Sequence, residues 1–203
     1  MTISLYVGDL PSGLDFGDCV AIDTETMGLN LQRDRLCLVQ LSSGDGNAHL
    51  VQFPQPDYAA PNLRALLANP KITKLFHFAR FDVAKIQYHF GIQCSPVWCT
   101  KIASRLTRTN TDRHGLQYLL RELLGVEISK QQQTSDWGAP HLSDEQQAYA
   151  ASDVLYLHAL RAKLEGLLDR EGRRAYAEAC FEFLPTRAAL DLAGWEAEDI
   201  FSH

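Results

Sequence analysis

At 203 residues the chain has room for one domain with a well-formed core, or for one domain and a helical appendage. Hydrophobic residues make up 46% and charged residues 22%, an ordinary globular balance, and no apolar run approaches the roughly 20 residues of a membrane span. The net charge of −6 argues against a basic face built to track a long phosphate backbone, and favours a short nucleic acid or contacts confined to a pocket.

In chain order, residues 3–7 are predicted to form a short strand and 8–13 a turn. Residues 19–22 are a short apolar run containing β-branched side chains, the pattern of a strand buried on both faces, with Asp23 and Glu25 at its end. Thr26-Met27-Gly28-Leu29 then turns away, and Gly28 is expected to adopt a conformation that a residue with a Cβ would resist. Residues 36–42 and 48–53 read as hairpin partners across 43–47. A short helix over 62–68 is stopped by Asn69-Pro70. A strand over 71–78 runs straight into a helix over 79–90, with Gly91 past its end, and 96–98 is a last short strand. From residue 100 the chain reads as helical, over 100–107, 115–124 and 143–170, with two more helices within 173–200. The irregular stretch 125–141 is long enough to be functional rather than idle. Together these elements predict an α/β fold, a mixed five- to six-stranded sheet flanked by helices, with an all-helical C-terminal part.

The opening residues lack the basic and long apolar regions of a signal peptide. The five cysteines (Cys19, Cys37, Cys94, Cys99, Cys180) show neither Cys-x-x-Cys nor zinc spacing, so buried, reduced thiols in a cytoplasmic protein are expected.

Four carboxylates stand out by position. Asp23 and Glu25 are i and i+2 on a strand and point the same way, roughly 6–7 Å apart. Two such anions resist desolvation unless a cation or a shared proton sits between them. Asp82, in His77-Phe78-Ala79-Arg80-Phe81-Asp82, falls in the first turn of a helix, a common place for an acid. The helix from 143 opens with a capping box, Ser143 to Gln146, and two turns later places Tyr149 and Asp153 one above the other. Small residues at 148, 150, 151 and 152 let that face approach a partner closely. Each feature alone is as well explained by solvation or capping. Converging without Lys or Arg between them, the four would hold two divalent cations about 3.5–4 Å apart, and oxygen-only ligation favours Mg²⁺ or Mn²⁺.

Asp23-Thr24-Glu25, His77 to Asp82 and Tyr149 to Asp153 resemble the three exonuclease motifs of the ribonuclease D-like 3′→5′ exonucleases, DEDD nucleases of the tyrosine subtype with a ribonuclease H-like fold. The resemblance spans about 15–165, and 125–130 followed by Ser135-Asp136-Trp137 is similar to the segment before the third motif in ribonuclease D. It implies that Asp23, Glu25, Asp82, Tyr149 and Asp153 are catalytic. Asp23, Glu25 and Asp153 would hold the metal that activates water, Asp23 and Asp82 the metal at the leaving oxygen, and Tyr149 would orient the water. Substrate contacts are expected from Thr26, Met27, Gly28, Leu29, His77, Phe81 and Lys130. The Met27-Gly28-Leu29 turn is similar to the loop by which oligoribonuclease wedges a leucine between two bases. One position departs from the pattern: Phe78 stands where the second motif usually carries Asn.

The expectation is therefore a single exonuclease domain over 1–203, with a core at 15–165 and a helical extension at 171–203, lacking the helical RNA-binding domains of ribonuclease D. It resembles a compact branch of the family that degrades dinucleotides and very short RNA to 5′-mononucleotides and assembles as ring-like homo-oligomers. The aromatic tail (Tyr176, Phe181, Phe183, Trp195, Phe201) would supply interface or pack on its own core. The alternatives are trimming of longer RNA 3′ ends, or an inactive module that only binds nucleic acid or a partner.

Overall fold

The computed structural model describes residues 2–129 and 131–203. Within them six strands form one mixed sheet: β1 (Ile3–Val7), β2 (Cys19–Thr26), β3 (Leu36–Ser42), β4 (Ala48–Gln52), β5 (Thr73–Phe76) and β6 (Val97–Cys99). Their spatial order is β1-β4-β3-β2-β5-β6. β2, β3 and β4 run antiparallel, whereas β1 joins β4, and β5 joins both β2 and β6, in parallel. β2 lies inside the sheet, and Val20, Ala21 and Ile22 are fully buried, which is why this stretch reads as a continuous apolar run. It continues past the run to Thr26, so both carboxylates belong to the strand itself. The register with β3 shifts between Glu25 and Thr26, an irregularity of the kind that re-aims side chains at strand ends.

The helices are α1 (Pro61–Ala68), α2 (Ala79–Phe90), α3 (Thr100–Thr107), α4 (Leu116–Leu124), α5 (Asp144–Leu155), α6 (Leu157–Arg170) and α7 (Arg174–Leu190). The single helix expected over 143–170 is broken at Tyr156, whose φ of −105° and ψ of −2° end α5 and let α6 leave in a new direction. α5 lies across β1 to β4, with Ala150 and Ala151 fully buried beneath it. α6 instead packs with α3 and α4. The tail holds one long helix rather than two, α7, which runs on into a π-helical turn (Asp191–Trp195) that Gly194 ends at φ 105°. α7 packs on α2 and β6, and Arg80 of α2 and Arg187 of α7 both pair with the buried Asp191, at 2.6 and 2.5 Å. All five cysteines are free, and four are buried as expected, but Cys180 is exposed, because it faces outward from α7.

Among the described residues two lysines, Lys74 and Lys85, are fully buried, each satisfied by backbone carbonyls. Lys74 Nζ donates to the carbonyls of Asn69, Ile72 and Ser95 at 2.7, 2.8 and 2.5 Å. Lys85, one turn beyond Asp82 on α2, donates to Asn30 (2.7 Å), Leu31 (3.1 Å) and Asp34. The loop after β2 is thereby clamped to the helix that carries Asp82. Replacing Lys85 with Met would remove the donor from three backbone carbonyls, that of Leu31 among them buried. Lys85→Met is expected to lower the unfolding free energy by about 2–3 kcal/mol in urea titrations. A change below about 0.5 kcal/mol would show that the clamp contributes nothing.

Candidate active site

β2 presents Asp23 and Glu25 toward one cavity. Thr24 between them is buried, and its hydroxyl donates to Asp82 Oδ1 at 2.6 Å, tying the first turn of α2 to the strand. β3 places Gln40 opposite Asp23 in register, and Gln40 Nε2 donates to Asp23 Oδ2 at 3.3 Å. α5 delivers Tyr149 and Asp153 from above the sheet. One carboxylate oxygen each from Asp23, Glu25 and Asp153 lies within 4.8 Å of the others. Asp82 lines the same cavity but stands outside that group of three, engaged with Thr24.

Burial pushes Asp23 well above the usual carboxylate range, helped by the charges of Asp82, Asp153 and Glu25. Glu25 rises to about 9, first from burial and then from Asp153 and Asp82. Asp82 rises to about 7, again chiefly from burial, although the bond from Thr24 opposes it. Among the described residues, no ion pair reaches Asp23, Glu25 or Asp82. Such a cluster of hard oxygen donors, Asp23, Glu25 and Asp153, fits a divalent cation of the Mg²⁺ type. Tyr149 is raised far above an ordinary phenol by burial and by Asp153, Glu25 and Asp23, and it hydrogen-bonds Asp153. It therefore keeps its proton and acts as a donor.

The cavity is about 340 Å³, within the range of small-ligand sites. Of the expected substrate contacts, Leu29, His77 and Phe81 line it, whereas Thr26, Met27 and Gly28 do not. Lys130 lies outside the described residues. Those three turn residues instead build the support for Leu29. Thr26 Oγ1 donates to the Gly28 carbonyl at 2.6 Å, and Asp34 Oδ2 accepts from the Asn30 amide at 2.9 Å. Gly28 is not among the glycines with positive φ, so the expected backbone role does not hold. Its missing Cβ matters because that atom would collide with the Asp34 carboxylate. Leu29 stands at the tip, 80% exposed.

His77 Nδ1 lies 2.8 Å from Thr100 Oγ1, which is also 3.2 Å from the Phe76 carbonyl, so this hydrogen bond fixes the ring and leaves Nε2 free of that contact. Burial, and then Lys101, lower His77 to about 3, which keeps it neutral. The long 125–141 segment is fastened by the α5 cap. Gln146 completes the capping box with Ser143 and also donates to Ser135 Oγ and the Asp136 carbonyl, both at 3.1 Å. This seats the buried Trp137 ring 6.0 Å from that of Tyr149. Thr24, Gln40 and Lys101 carried no signal in the sequence, since each acts through a neighbour that only the fold supplies.

Phe78 explains the departure in the second motif. It caps α2 at φ 64° and ψ 46°, a left-handed conformation that Asn tolerates and that costs a bulky residue about 1–3 kcal/mol. The ring is 48% exposed at the cavity wall, with Lys101 Nζ 3.8 Å from its centroid.

A carboxyl whose proton is held more tightly in the folded than in the unfolded chain loses its support for the fold as pH rises through the interval between the two values. For Glu25 that interval runs from the ordinary 4.5 to about 9. Replacing Asp23 by Asn removes one of the repelling charges. In metal-free protein, the melting temperature of Asp23→Asn minus that of wild type is therefore expected to grow from about pH 5.5 to about pH 8.5. Taking the difference cancels the contributions of the buried histidines and Lys85. A gap that stays constant or shrinks over that range would contradict the repulsion.

A 3′-5′ exonuclease family model matches residues 9–169. Ribonuclease D of Acidiphilium cryptum is 37% identical over 154 residues, covering 76% of this chain and 39% of that protein, so the chain spans about two fifths of the length of such curated relatives. A structure of Brucella melitensis NrnC (nanoRNase C) with bound Mg²⁺ is 57% identical, covers all of both chains and superposes with a TM-score of 0.96. The same protein bound to pGG is 58% identical, covers 100% of this chain and 99% of that one, and has a TM-score of 0.97. The chain thus belongs to the ribonuclease D-like DEDD 3′-5′ exonucleases, close to NrnC.

Proposed function

We propose that this chain is a single exonuclease domain with a helical extension. It hydrolyses diribonucleotides and very short RNA from the 3′ end to 5′-mononucleotides, with two divalent cations, Mg²⁺ or Mn²⁺. The observation that carries this reading is an anionic floor beneath an apolar tip. Oxygens of Asp23, Glu25 and Asp153 cluster within 4.8 Å, and the exposed Leu29, four residues past Glu25, lines the same cavity. The full-length similarity to a protein whose structure is bound to pGG supports the short substrate.

Asp23, Glu25 and Asp153 would hold one cation, and Asp23 with Asp82 the other. When bound, these ions supply charge neutralisation at the phosphate and a water acidified toward neutral pH. Tyr149, whose hydroxyl hydrogen goes to Asp153, orients the attacking water by accepting a hydrogen bond from it. Gln40 and Thr24 hold Asp23 and Asp82 in place. Leu29, inserted between two bases, gains about 1.5–3 kcal/mol of apolar contact if fully buried. His77, Phe81 and Lys130 complete the contacts to substrate. A second copy of the chain covers the exposed Tyr176, Trp195 and Phe201 in a ring-like homo-oligomer. Five free thiols suit a reducing cytoplasm.

Wild-type protein with Mg²⁺ is expected to cleave a 5′-phosphorylated dinucleotide at least about tenfold faster than an RNA of about 20 nucleotides. Leu29→Ala should raise KM for the dinucleotide by about tenfold or more, with Tm unchanged. Equal rates on both lengths would replace this reading with ribonuclease D-like trimming of longer RNA, which the similarity to ribonuclease D favours.

A further inference from the structure

Among the described residues lining the carboxylate cavity, Leu29 and Phe78 are the two large apolar side chains that stay exposed. Leu29 already has a place in the proposed reaction. Phe78 does not, and its position is costly on every structural count. It adopts a backbone conformation that disfavours a bulky side chain, it caps α2 with no side-chain hydrogen bond, and its ring contributes little to the core. Lys101, on α3, covers the ring with its ammonium and fixes it against the wall. The ring also lines a second, largely apolar cavity of about 440 Å³, in which Arg80 and Arg187 are paired with Asp191, so it stands where the two cavities meet.

An exposed aromatic face beside a phosphodiester-cleaving centre has one ligand class that suits it, a nucleobase. Every base has a π-face, so stacking there is strong and tolerant of sequence. We infer that Phe78 is a substrate-binding residue on which one base of the short RNA stacks, Lys101 holding the ring in place. The inference rests on the proposed exonuclease reading and adds a base-recognition site to it. It also accounts for a phenylalanine at a position whose backbone suits Asn better.

Phe78→Asn separates the two roles, because Asn fits the left-handed cap while removing the ring. The variant is expected to melt at or above the wild-type temperature. It should lose about 5- to 100-fold in kcat/KM on a dinucleotide, mostly through KM, and Phe78→Tyr should restore most of that loss. Dinucleotides lacking the 5′ or the 3′ base complete the test. On one of the two, the wild type and Phe78→Asn should become equal, since the stack is already gone. Undiminished turnover by Phe78→Asn, or the same penalty on both base-lacking substrates, would overturn the inference. Wild-type protein inert on the intact dinucleotide would instead refute the parent reading.

Discussion

Mutual repulsion among carboxylates that the fold forces together is the constraint on which this structure turns. Asp23 and Glu25 share a strand face by the two-residue repeat of β structure, and α5 lowers Asp153 onto them. Burial and like charge lift Asp23 and Glu25 far above ordinary carboxylates. A fold does not assemble such a group for its own stability. The arrangement makes physical sense as a place where a divalent cation offsets the mutual repulsion of the carboxylates, and the rest of the architecture keeps the oxygens from relaxing apart.

That restraint is built from ordinary parts. β2 is locked inside the sheet by β3 and β5, so the carboxylates cannot swing away with an edge. Thr24 and Gln40 each bind one acid, and Gln40 leaves its own carbonyl oxygen buried without a partner to do so. Ala150 and Ala151 let α5 lie close to the sheet, and the cap at Ser143 fixes both where that helix starts and where Trp137 sits against Tyr149. Lys85 joins the helix of Asp82 to the loop of Leu29, so the metal-facing and base-facing parts of the cavity share one rigid support.

Local patterns in the sequence locate most of this. The apolar run before Asp23, the hairpin at 43–47, the helix limits at 79–90 and 100–107 and the capping box all read correctly, because each is decided by neighbours in the chain. That the four carboxylates and Tyr149 line one cavity is legible for the same reason: strand and helix periodicities put them on definable faces. What failed depended on contacts far apart in sequence. The break at Tyr156 answers to α3 and α4, against which α6 packs. The need for Gly28 comes from the Asp34 side chain rather than from its own dihedrals. Thr24, Gln40 and Lys101 are unremarkable residues until the fold brings Asp82, Asp23 and Phe78 beside them. Phe78 was visible as a departure from a motif, but its left-handed backbone and exposed ring were not.

The most direct test of the central claim is the effect of the cation on stability. Metal-free wild-type protein titrated with Mg²⁺ at about pH 8 should show a saturable rise in melting temperature, as expected for a ligand that binds only the folded state. The same titration of Asp153→Asn should show a much smaller rise. A wild-type melting temperature unmoved by either Mg²⁺ or Mn²⁺ up to about 10 mM would contradict the account, because crowded carboxylates that gain nothing from a divalent cation are not a metal site.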